Sequence, residues 1–215
     1  MYKAVIFDLD GTLLDSLNDI LEVLNKTLAH FNLPQITREQ GRQYIGNGAR
    51  ELVRRALGEE NDGRIDEIMP YFKEKYAQSD NGLSRIYDGE DEALKKLKAA
   101  GVKLAILTNK PHAAALHTQS IFFKSYSFDC VLGQKDGAPL KPDPAAVESV
   151  LKELNVERND CVFVGDGEAD ILAAKNAGLD CISVLWGYRT EEQLTAAGAK
   201  VFVENYGQLA DRILK

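Results

Sequence analysis

Acidic residues that could bind a cation occur in two places where a short apolar run ends. Asp8 and Asp10 follow the first such run, and Asp166 and Asp170 follow a later one. Neighbouring carboxylates repel one another, so a group of this kind usually holds a cation or takes two roles with separated pKa values. Mg²⁺ prefers carboxylate oxygens together with substrate phosphate. The four acids therefore predict a magnesium site.

Residues that could bind an anion complement these acids. Thr108 and Asn109, after a third apolar run, offer a hydroxyl group and an amide, and Lys141 offers a positive charge suited to phosphate. Carboxylates, a divalent cation, a hydroxyl, an amide and a lysine together make a phosphoryl-transfer site. Each cluster alone could be an ordinary turn, because Asp, Asn and Gly are common turn residues. Their convergence at one place would indicate catalysis.

A parallel β-sheet would bring these clusters together. Short β-branched runs alternate with helical stretches, and several runs are continuously apolar, as in strands covered on both faces. This alternation predicts a doubly wound, Rossmann-like α/β core with right-handed crossovers. The predicted strands are residues 4–7, 104–107, 130–132, 161–164, 182–185 and 201–203. The carboxyl ends of such strands meet at one edge of the sheet, where ligands bind.

Residues 15–83 contain no convincing strand and predict a small helical cap domain inserted after the first strand. Apolar residues recur at helical spacing between Leu17 and Leu28. The catalytic core would then comprise residues 1–14 and 84–215. Further cap helices are expected near residues 37–44, 49–57 and 62–77.

A glycine-containing loop between two of these helices is the candidate substrate contact from the cap. The backbone N–H groups around Gly48 and the side chain of Arg50 could reach a substrate carboxylate when the cap closes. The segment Gly46-Asn47-Gly48 does not follow a strand and lacks a third glycine, so a dinucleotide-binding loop is the weaker interpretation.

The charge balance restricts the partners. With 26 Lys and Arg against 33 Asp and Glu, the formal net charge of −7 argues against binding to nucleic acid or to an anionic membrane surface. No apolar run approaches the roughly 18 residues of a membrane span, and no signal peptide is visible, so we expect a cytoplasmic protein, a monomer or a homodimer.

The three cysteines show no metal-ligand spacing and are expected to be buried thiols.

Four motifs, in their order and spacing, resemble those of the haloacid dehalogenase-like hydrolases over essentially the whole chain. They are Asp8-Leu9-Asp10-Gly11-Thr12, Thr108-Asn109, Lys141-Pro142 and Gly165-Asp166-Gly167-Glu168-Ala169-Asp170. Within that family the chain looks most like the phosphoglycolate phosphatases, through Ser16, residues 45–49 and the segment Trp186-Gly187-Tyr188-Arg189. Gly167 and Ala169 depart from the serine and valine that are usual in those relatives.

The resemblance implies a mechanism. Asp8 would be the nucleophile that forms an aspartyl-phosphate, and Asp10 would be the general acid and then the base for the hydrolytic water. Mg²⁺ would be held by Asp8, by the backbone carbonyl of Asp10, by Asp166 and, directly or through water, by Asp170. The substrate would be a small phosphorylated metabolite, with 2-phosphoglycolate as the first candidate.

The resemblance also assigns the anion-binding residues and leaves alternatives open. Thr108, Asn109 and Lys141 would bind the transferring phosphoryl group.

A sugar phosphatase or a pyrophosphatase of the same superfamily remains possible. A phospho-acceptor switch also places acids, Thr and Lys at a parallel sheet edge, but the helical insert and the separate acid at Asp10 argue against it. A non-catalytic relative is disfavoured because every matched motif residue is present.

Overall fold

The computed structural model describes residues 1–124 and 127–215, and its core is a six-stranded sheet. The strands are β1 (Ala4–Phe7), β2 (Leu14–Asp15), β3 (Arg85–Ile86), β4 (Lys103–Pro111), β5 (Cys130–Gln134), β6 (Cys161–Gly165), β7 (Asp180–Val184) and β8 (Phe202–Val203). The order in the large sheet is β5-β4-β1-β6-β7-β8, and every neighbouring pair is parallel. Strands β2 and β3 form a separate antiparallel ribbon.

Helices cover both faces of the large sheet. The helices of the described residues, in chain order, are α1 (Leu17–His30), α2 (Arg38–Tyr44), α3 (Ala49–Leu57), α4 (Ile65–Ala77), α5 (Glu90–Ala99), α6 (His112–Phe122), α7 (Pro144–Leu154), α8 (Glu168–Ala177), α9 (Glu191–Ala196) and α10 (Tyr206–Leu214). The helices α5 to α8 and α10 pack against the sheet. In β1, Val5 and Phe7 join the hydrophobic cluster formed with α5, α6 and α10, whereas Ala4 and Ile6 join the cluster formed with α7 and α8. Because both faces are buried, β1 is apolar at every position, and the predicted doubly wound, Rossmann-like α/β core is confirmed.

All six predicted strands of this sheet are present, and the largest difference lies in β4. This strand continues to Pro111 instead of ending at Leu107. Its register with β5 shifts after Leu107, and pairing resumes at Pro111 opposite Gln134. An irregularity of this kind redirects side chains. Thr108 and Asn109 therefore lie in the irregular end of a strand and not in the loop that the sequence indicated.

Along the chain, the helices α1 to α4 lie between β2 and β3. Their apolar residues form a hydrophobic cluster separate from the two clusters that pack against the sheet. The apolar residues that predicted α1, from Leu17 to Leu28, are buried in this cluster together with Val53 and Phe72. The predicted helix 62–77 is divided into a 3₁₀ helix, Glu59–Arg64, followed by α4. The helical character of the region is therefore confirmed, whereas its treatment as a cap domain with boundaries at 14/15 and 83/84 stays a prediction.

A two-stranded ribbon, which the sequence did not predict, lies where the chain enters and leaves the helical region. Leu14 pairs with Ile86 across β2 and β3. Two-residue strands are too short to show the alternation by which strands are predicted. Beside the ribbon, Asp19 accepts hydrogen bonds from the backbone N–H of Leu83, at 3.2 Å, and from the hydroxyl of Ser84. The segment that enters the helical region is thus hydrogen-bonded to the segment that leaves it.

The expectation of three buried thiols is correct for one cysteine. Cys161, in the central strand β6, is buried, whereas Cys130 and Cys181 are half-buried. Cys130 opens the edge strand β5, where one side of the backbone lacks a neighbouring strand. Among the residues that the structure describes, none of the helices is long and apolar enough to cross a membrane.

Candidate active site

The catalytic candidates lie where the two central strands β1 and β6 end. The backbone N–H of Asp8 donates to the carbonyl of Val164 at 2.9 Å, so the parallel hydrogen bonding continues beyond the end of β1. Asp166 follows β6, and Asp170 lies in the first turn of α8. One carboxylate oxygen from each of Asp8, Asp166 and Asp170 lies within 4.8 Å of the others, and all three residues are buried. We refer to these three residues as the acidic cluster.

A buried lysine stands among these carboxylates. Nζ of Lys141 lies 2.8 Å from Oδ1 of Asp8 and 2.7 Å from Oδ1 of Asp170, and its side chain is only 1% exposed. Burial lowers the pKa of this lysine, but the two carboxylates outweigh burial and raise its pKa above the usual value. Lys141 is therefore a fixed positive charge beside the candidate nucleophile.

Two glycines allow the backbone to approach Asp166. The Thr12 hydroxyl donates to Oδ1 of Asp166 at 3.1 Å, and the backbone N–H of Tyr188 donates to Oδ2 at 2.7 Å. A Cβ atom at Gly11 would lie 2.3 Å from Oδ2 of Asp166, and one at Gly187 would lie 2.2 Å from its Cβ. Neither position has room for a side chain, and Gly11 also has a φ of +92°, which glycine adopts at little cost. These glycines therefore help to set the position of the carboxylate.

Asp170 is held by the start of helix α8. Its Oδ2 accepts a hydrogen bond from the backbone N–H of Gly167 at 3.0 Å, and the N-terminus of a helix favours negative charge. A Cβ atom at Gly165 would lie 2.3 Å from the same carboxylate oxygen. Because the backbone of Gly167 makes the bond, replacement of the usual serine by glycine leaves this contact in place.

Burial and repulsion within the acidic cluster disfavour its charged form. Burial raises the pKa of the Asp8 carboxyl to about 7; Lys141 opposes this shift, and the neighbouring carboxylates add to it. Burial and the charge of Asp170 raise the pKa of Asp166 to about 6. Three buried carboxylates beside one ammonium group leave negative charge that a hard divalent cation would neutralise. The donor set therefore fits a divalent metal ion.

The carboxylate of Asp10 is bonded to groups outside the acidic cluster. Its Oδ1 accepts hydrogen bonds from Oγ of Ser16 at 2.6 Å and from Nζ of Lys110 at 2.9 Å. The hydroxyl of Tyr188 lies 3.3 Å from Oγ of Ser16 and accepts the backbone N–H of Ser16 at 2.9 Å. Within the described residues, the Asp10 carboxylate is not a member of the acidic cluster. The side chain is thus held in place by Ser16 and Lys110, and both its acid–base role and metal binding by its backbone carbonyl stay predictions.

Asn109 and Thr108 are bonded mainly to backbone groups. Oδ1 of Asn109 accepts the backbone N–H of Lys141 at 2.9 Å, and its Nδ2 donates to the carbonyls of Lys141 and Gly46, each at 3.0 Å. The Thr108 hydroxyl accepts the backbone N–H of Lys110 at 3.2 Å. Asn109 therefore orients Lys141 and joins the helical region to the core. Phosphate binding by Thr108 and Asn109 stays a prediction, although both line the cavity next to Asp8.

A small cavity, about 50 Å³ in volume, opens beside Asp8 toward the helical region. Gly48 lines this cavity, as the sequence indicated. Arg50 does not line it: its guanidinium lies 2.8 Å from a carboxylate oxygen of Asp66, and its side chain is 59% exposed. The helix that begins at Ala49 carries Arg50 toward solvent, so the structure brings Gly48 but not Arg50 to the site.

The sequence pattern assigned no linking role to the residues that join the helical region to the core, although Arg189 belongs to a segment that carries the family resemblance. Arg42 donates from Nε to the carbonyl of Tyr188 at 2.7 Å, and Arg189 donates to the carbonyl of Ile45 at 2.7 Å. Lys110, which holds Asp10, was also given no role. Neither Lys110, which precedes a proline, nor Arg189, which follows Tyr188, stands out in the sequence. Most lysines and arginines are exposed on the surface, so their presence alone is a weak signal of a structural role.

Comparison with known proteins identifies the family. The haloacid dehalogenase-like hydrolase family matches residues 5–184, and the chain belongs to it. Phosphoglycolate phosphatase 1 of Pseudomonas aeruginosa is 38% identical over 213 residues, which cover 96% of this chain and 78% of that protein. The chain is therefore an enzyme, a hydrolase of phosphoric monoesters similar to the phosphoglycolate phosphatases.

Solved structures agree over the full length. A candidate phosphoglycolate phosphatase from Lactobacillus delbrueckii subsp. bulgaricus superimposes with a TM-score of 0.93 at 32% identity, covering 99% of this chain and 98% of that one. CbbY from Rhodobacter sphaeroides, a variant of which was crystallised with xylulose 1,5-bisphosphate, gives a TM-score of 0.81 at 25% identity, covering 97% and 96%. The core fold is therefore shared with this family of hydrolases.

Without a metal ion, the acidic cluster should make the protein less stable as the pH rises. The pKa values of Asp8 and Asp166 lie above that of an unfolded aspartate, so the folded state binds more protons between about pH 4 and pH 7 and its free energy of unfolding falls there. We expect Asp8→Asn to remove part of this dependence and, in EDTA near pH 8, to raise Tm by about 5–10 °C. Thermal unfolding followed by circular dichroism at several pH values measures the difference.

The matched control is Asp136→Asn, which removes a carboxylate that is 93% exposed and should leave Tm unchanged. Metal binding requires deprotonated ligands, so added Mg²⁺ should stabilise the wild type increasingly with pH and stabilise Asp8→Asn far less. If the Tm of Asp8→Asn shows the same pH dependence as that of the wild type, the loss of stability with rising pH does not come from the Asp8 carboxylate.

Gly187→Ala tests whether the close approach to Asp166 matters for metal binding. The added Cβ would lie 2.2 Å from Cβ of Asp166, so the carboxylate must move. We expect the Mg²⁺ concentration for half-maximal stabilisation to rise by about 10- to 100-fold, as when a ligand loses its supporting contacts. Gly63→Ala is the control, because its Cβ would meet open space. Equal Mg²⁺ dependence in the two variants would argue against this role.

Proposed function

We propose that this enzyme is an Mg²⁺-dependent phosphatase that hydrolyses a small phosphomonoester, 2-phosphoglycolate, through an aspartyl-phosphate. The observation that carries the proposal is the arrangement around Asp8: a buried carboxylate with Lys141 at 2.8 Å and two further carboxylates within reach of a shared cation. Asp10 follows two residues later, lines the same cavity and is held by Ser16 and Lys110. The sequence relationship to phosphoglycolate phosphatases supports the choice of substrate.

In the first half of the reaction, an oxygen of Asp8 attacks phosphorus and the bond from phosphorus to the ester oxygen breaks. Asp10 gives its proton to that oxygen, which leaves as the alcohol. In the second half, water attacks the phosphorus of the aspartyl-phosphate, and Asp10 takes up a proton from it. The bond between phosphorus and Asp8 then breaks, so phosphate is released and both aspartates return to their starting states.

The remaining residues act by charge and by position. Lys141 reduces the repulsion between Asp8 and the incoming phosphate and is kept in place by Asp170 and Asn109. When bound by the acidic cluster, Mg²⁺ would supply further positive charge at the phosphate. Thr108 lines the same cavity and has a hydroxyl group that can donate to a phosphate oxygen. We propose that residues 15–83 act as the cap over this site.

The shape of the cavity favours a compact substrate. Its volume is small, and the wall from the helical region includes the apolar side chains of Ile20, Leu52 and Phe72. Sugar hydroxyl groups buried against such a wall would lack hydrogen-bond partners. A sugar phosphatase remains the second candidate, because the related CbbY was crystallised with a sugar bisphosphate.

Phosphate release from a panel of phosphate esters, with Mg²⁺ and with EDTA, tests the proposed function. We expect hydrolysis only with Mg²⁺, and the highest kcat/KM for 2-phosphoglycolate among carboxylated esters, sugar phosphates and pyrophosphate. A flat profile, or a preference for sugar phosphates, would contradict the substrate assignment. Lasting phosphorylation of Asp8 without turnover would instead indicate a phospho-acceptor switch.

Asp10→Asn tests the proton transfer. The amide keeps the size of the side chain but has no acidic proton for the leaving oxygen, so kcat should fall by about 10²–10⁴-fold while KM changes little. The far-ultraviolet circular dichroism spectrum reports on the fold of the variant. Asp211→Asn is the control, because its carboxylate is at the surface beside Lys96 and should not affect kcat. Near-normal turnover by Asp10→Asn would overturn the assigned role.

A further inference from the structure

A second buried lysine lies on the side of the site that faces the helical region. Lys110 belongs to the irregular end of β4, and its side chain is only 2% exposed. Its Nζ lies 2.9 Å from Oδ1 of Asp10 and 5.1 Å from the centroid of the Tyr76 ring in α4. The ammonium group is therefore held between the candidate general acid and a helix that covers the site.

This lysine lines the cavity that opens beside Asp8. Among the described residues that line that cavity, Lys110 is the only one with a positive charge. Much of the surrounding wall is apolar, including Leu52 and Phe72. A second anionic group on the substrate would be costly to bury against that apolar wall without a partner, and among the described lining residues this ammonium is the partner of opposite charge.

The other cations near the site are already engaged. Lys141 is held by two carboxylates of the acidic cluster. Arg189 donates to backbone carbonyls of the helical region, and Arg50 pairs with Asp66 at the surface. Lys110 is itself bonded to Asp10 and to the Tyr76 side chain, but an ammonium group has three hydrogens to donate, so one is left for an anion.

We propose that Lys110 is a specificity-determining residue that binds the carboxylate of the substrate and so selects phosphomonoesters with a second anionic group close to the phosphate. This inference rests on the proposed function. In 2-phosphoglycolate a single carbon separates the carboxylate from the ester oxygen that Asp10 protonates. Because Lys110 contacts Asp10 and lines the same cavity, its ammonium group is adjacent to the residue that would protonate that oxygen, on the side where such a carboxylate could be bound.

The test compares two esters that differ in charge but hardly in shape. One is 2-phosphoglycolate, and the other is the phosphate ester of glycolamide, in which a neutral amide replaces the carboxylate. With saturating Mg²⁺, the wild type should prefer the carboxylate ester. In Lys110→Met the ratio of the two kcat/KM values should fall by about 10- to 100-fold, as expected for loss of a hydrogen bond between charged groups.

The ratio separates binding of the carboxylate from an effect transmitted through Asp10. If Lys110 only positions Asp10, both esters lose activity equally, and an unchanged ratio overturns the inference. Unaltered rates on both esters overturn it as well. Lys110→Gln is the second variant should Lys110→Met fail to fold, and its ratio is judged in the same way. Lys200→Met, which removes an exposed lysine, is the matched control and should keep the ratio of the wild type.

The same measurement distinguishes this inference from the proposed function. A wild type that hydrolyses neither ester contradicts the proposed function itself. A wild type that hydrolyses both with the same kcat/KM leaves a phosphatase in place and overturns the role of Lys110. If Lys110→Met and Lys110→Gln both keep the preference for the carboxylate ester, the substrate assignment stands, but residues other than Lys110 recognise the carboxylate.

Discussion

The active site depends on holding four buried or half-buried carboxylates in one region, three in the acidic cluster and the fourth on Asp10, with two ammonium groups of the described residues paired to them. The acids are Asp8, Asp10, Asp166 and Asp170, and the lysines are Lys110 and Lys141. Four negative and two positive charges leave a net charge of −2, which is the charge that one Mg²⁺ ion neutralises. Before the metal binds, the rest of the fold must hold these groups against their mutual repulsion.

The backbone provides most of that restraint. The pairing of β1 with β6 sets Asp8 beside Asp166, and N–H groups of Tyr188 and Gly167 hold the other two carboxylates of the acidic cluster. Backbone donors have fixed positions and cost little additional side-chain entropy, so they keep like charges together more reliably than long side chains would. The glycines next to Asp166 and Asp170 serve the same end, because a side chain there would displace the carboxylates.

The parts of the molecule that could be predicted from the sequence are those that repeat a pattern. β1 has the predicted bounds because a strand buried on both faces is apolar from end to end. The irregular end of β4 and the ribbon that pairs Leu14 with Ile86 were not predicted, because each depends on long-range pairing of a few residues. Charged side chains were hardest to place: Arg50 faces solvent and Lys110 faces the site, although both follow loop-forming residues in the sequence.

The core and the helical region are physically coupled, because single residues contact both. Asn109 orients the backbone of Lys141 and also donates to the carbonyl of Gly46 in the helical region. Tyr188 donates to Asp166 through its backbone and contacts Ser16, a hydrogen-bond partner of Asp10, through its hydroxyl. A shift of the helical region would therefore move groups that hold Lys141 and Asp10. The hydrogen bonds that join the helical region to the core are thus part of the same network that positions Lys141 and Asp10.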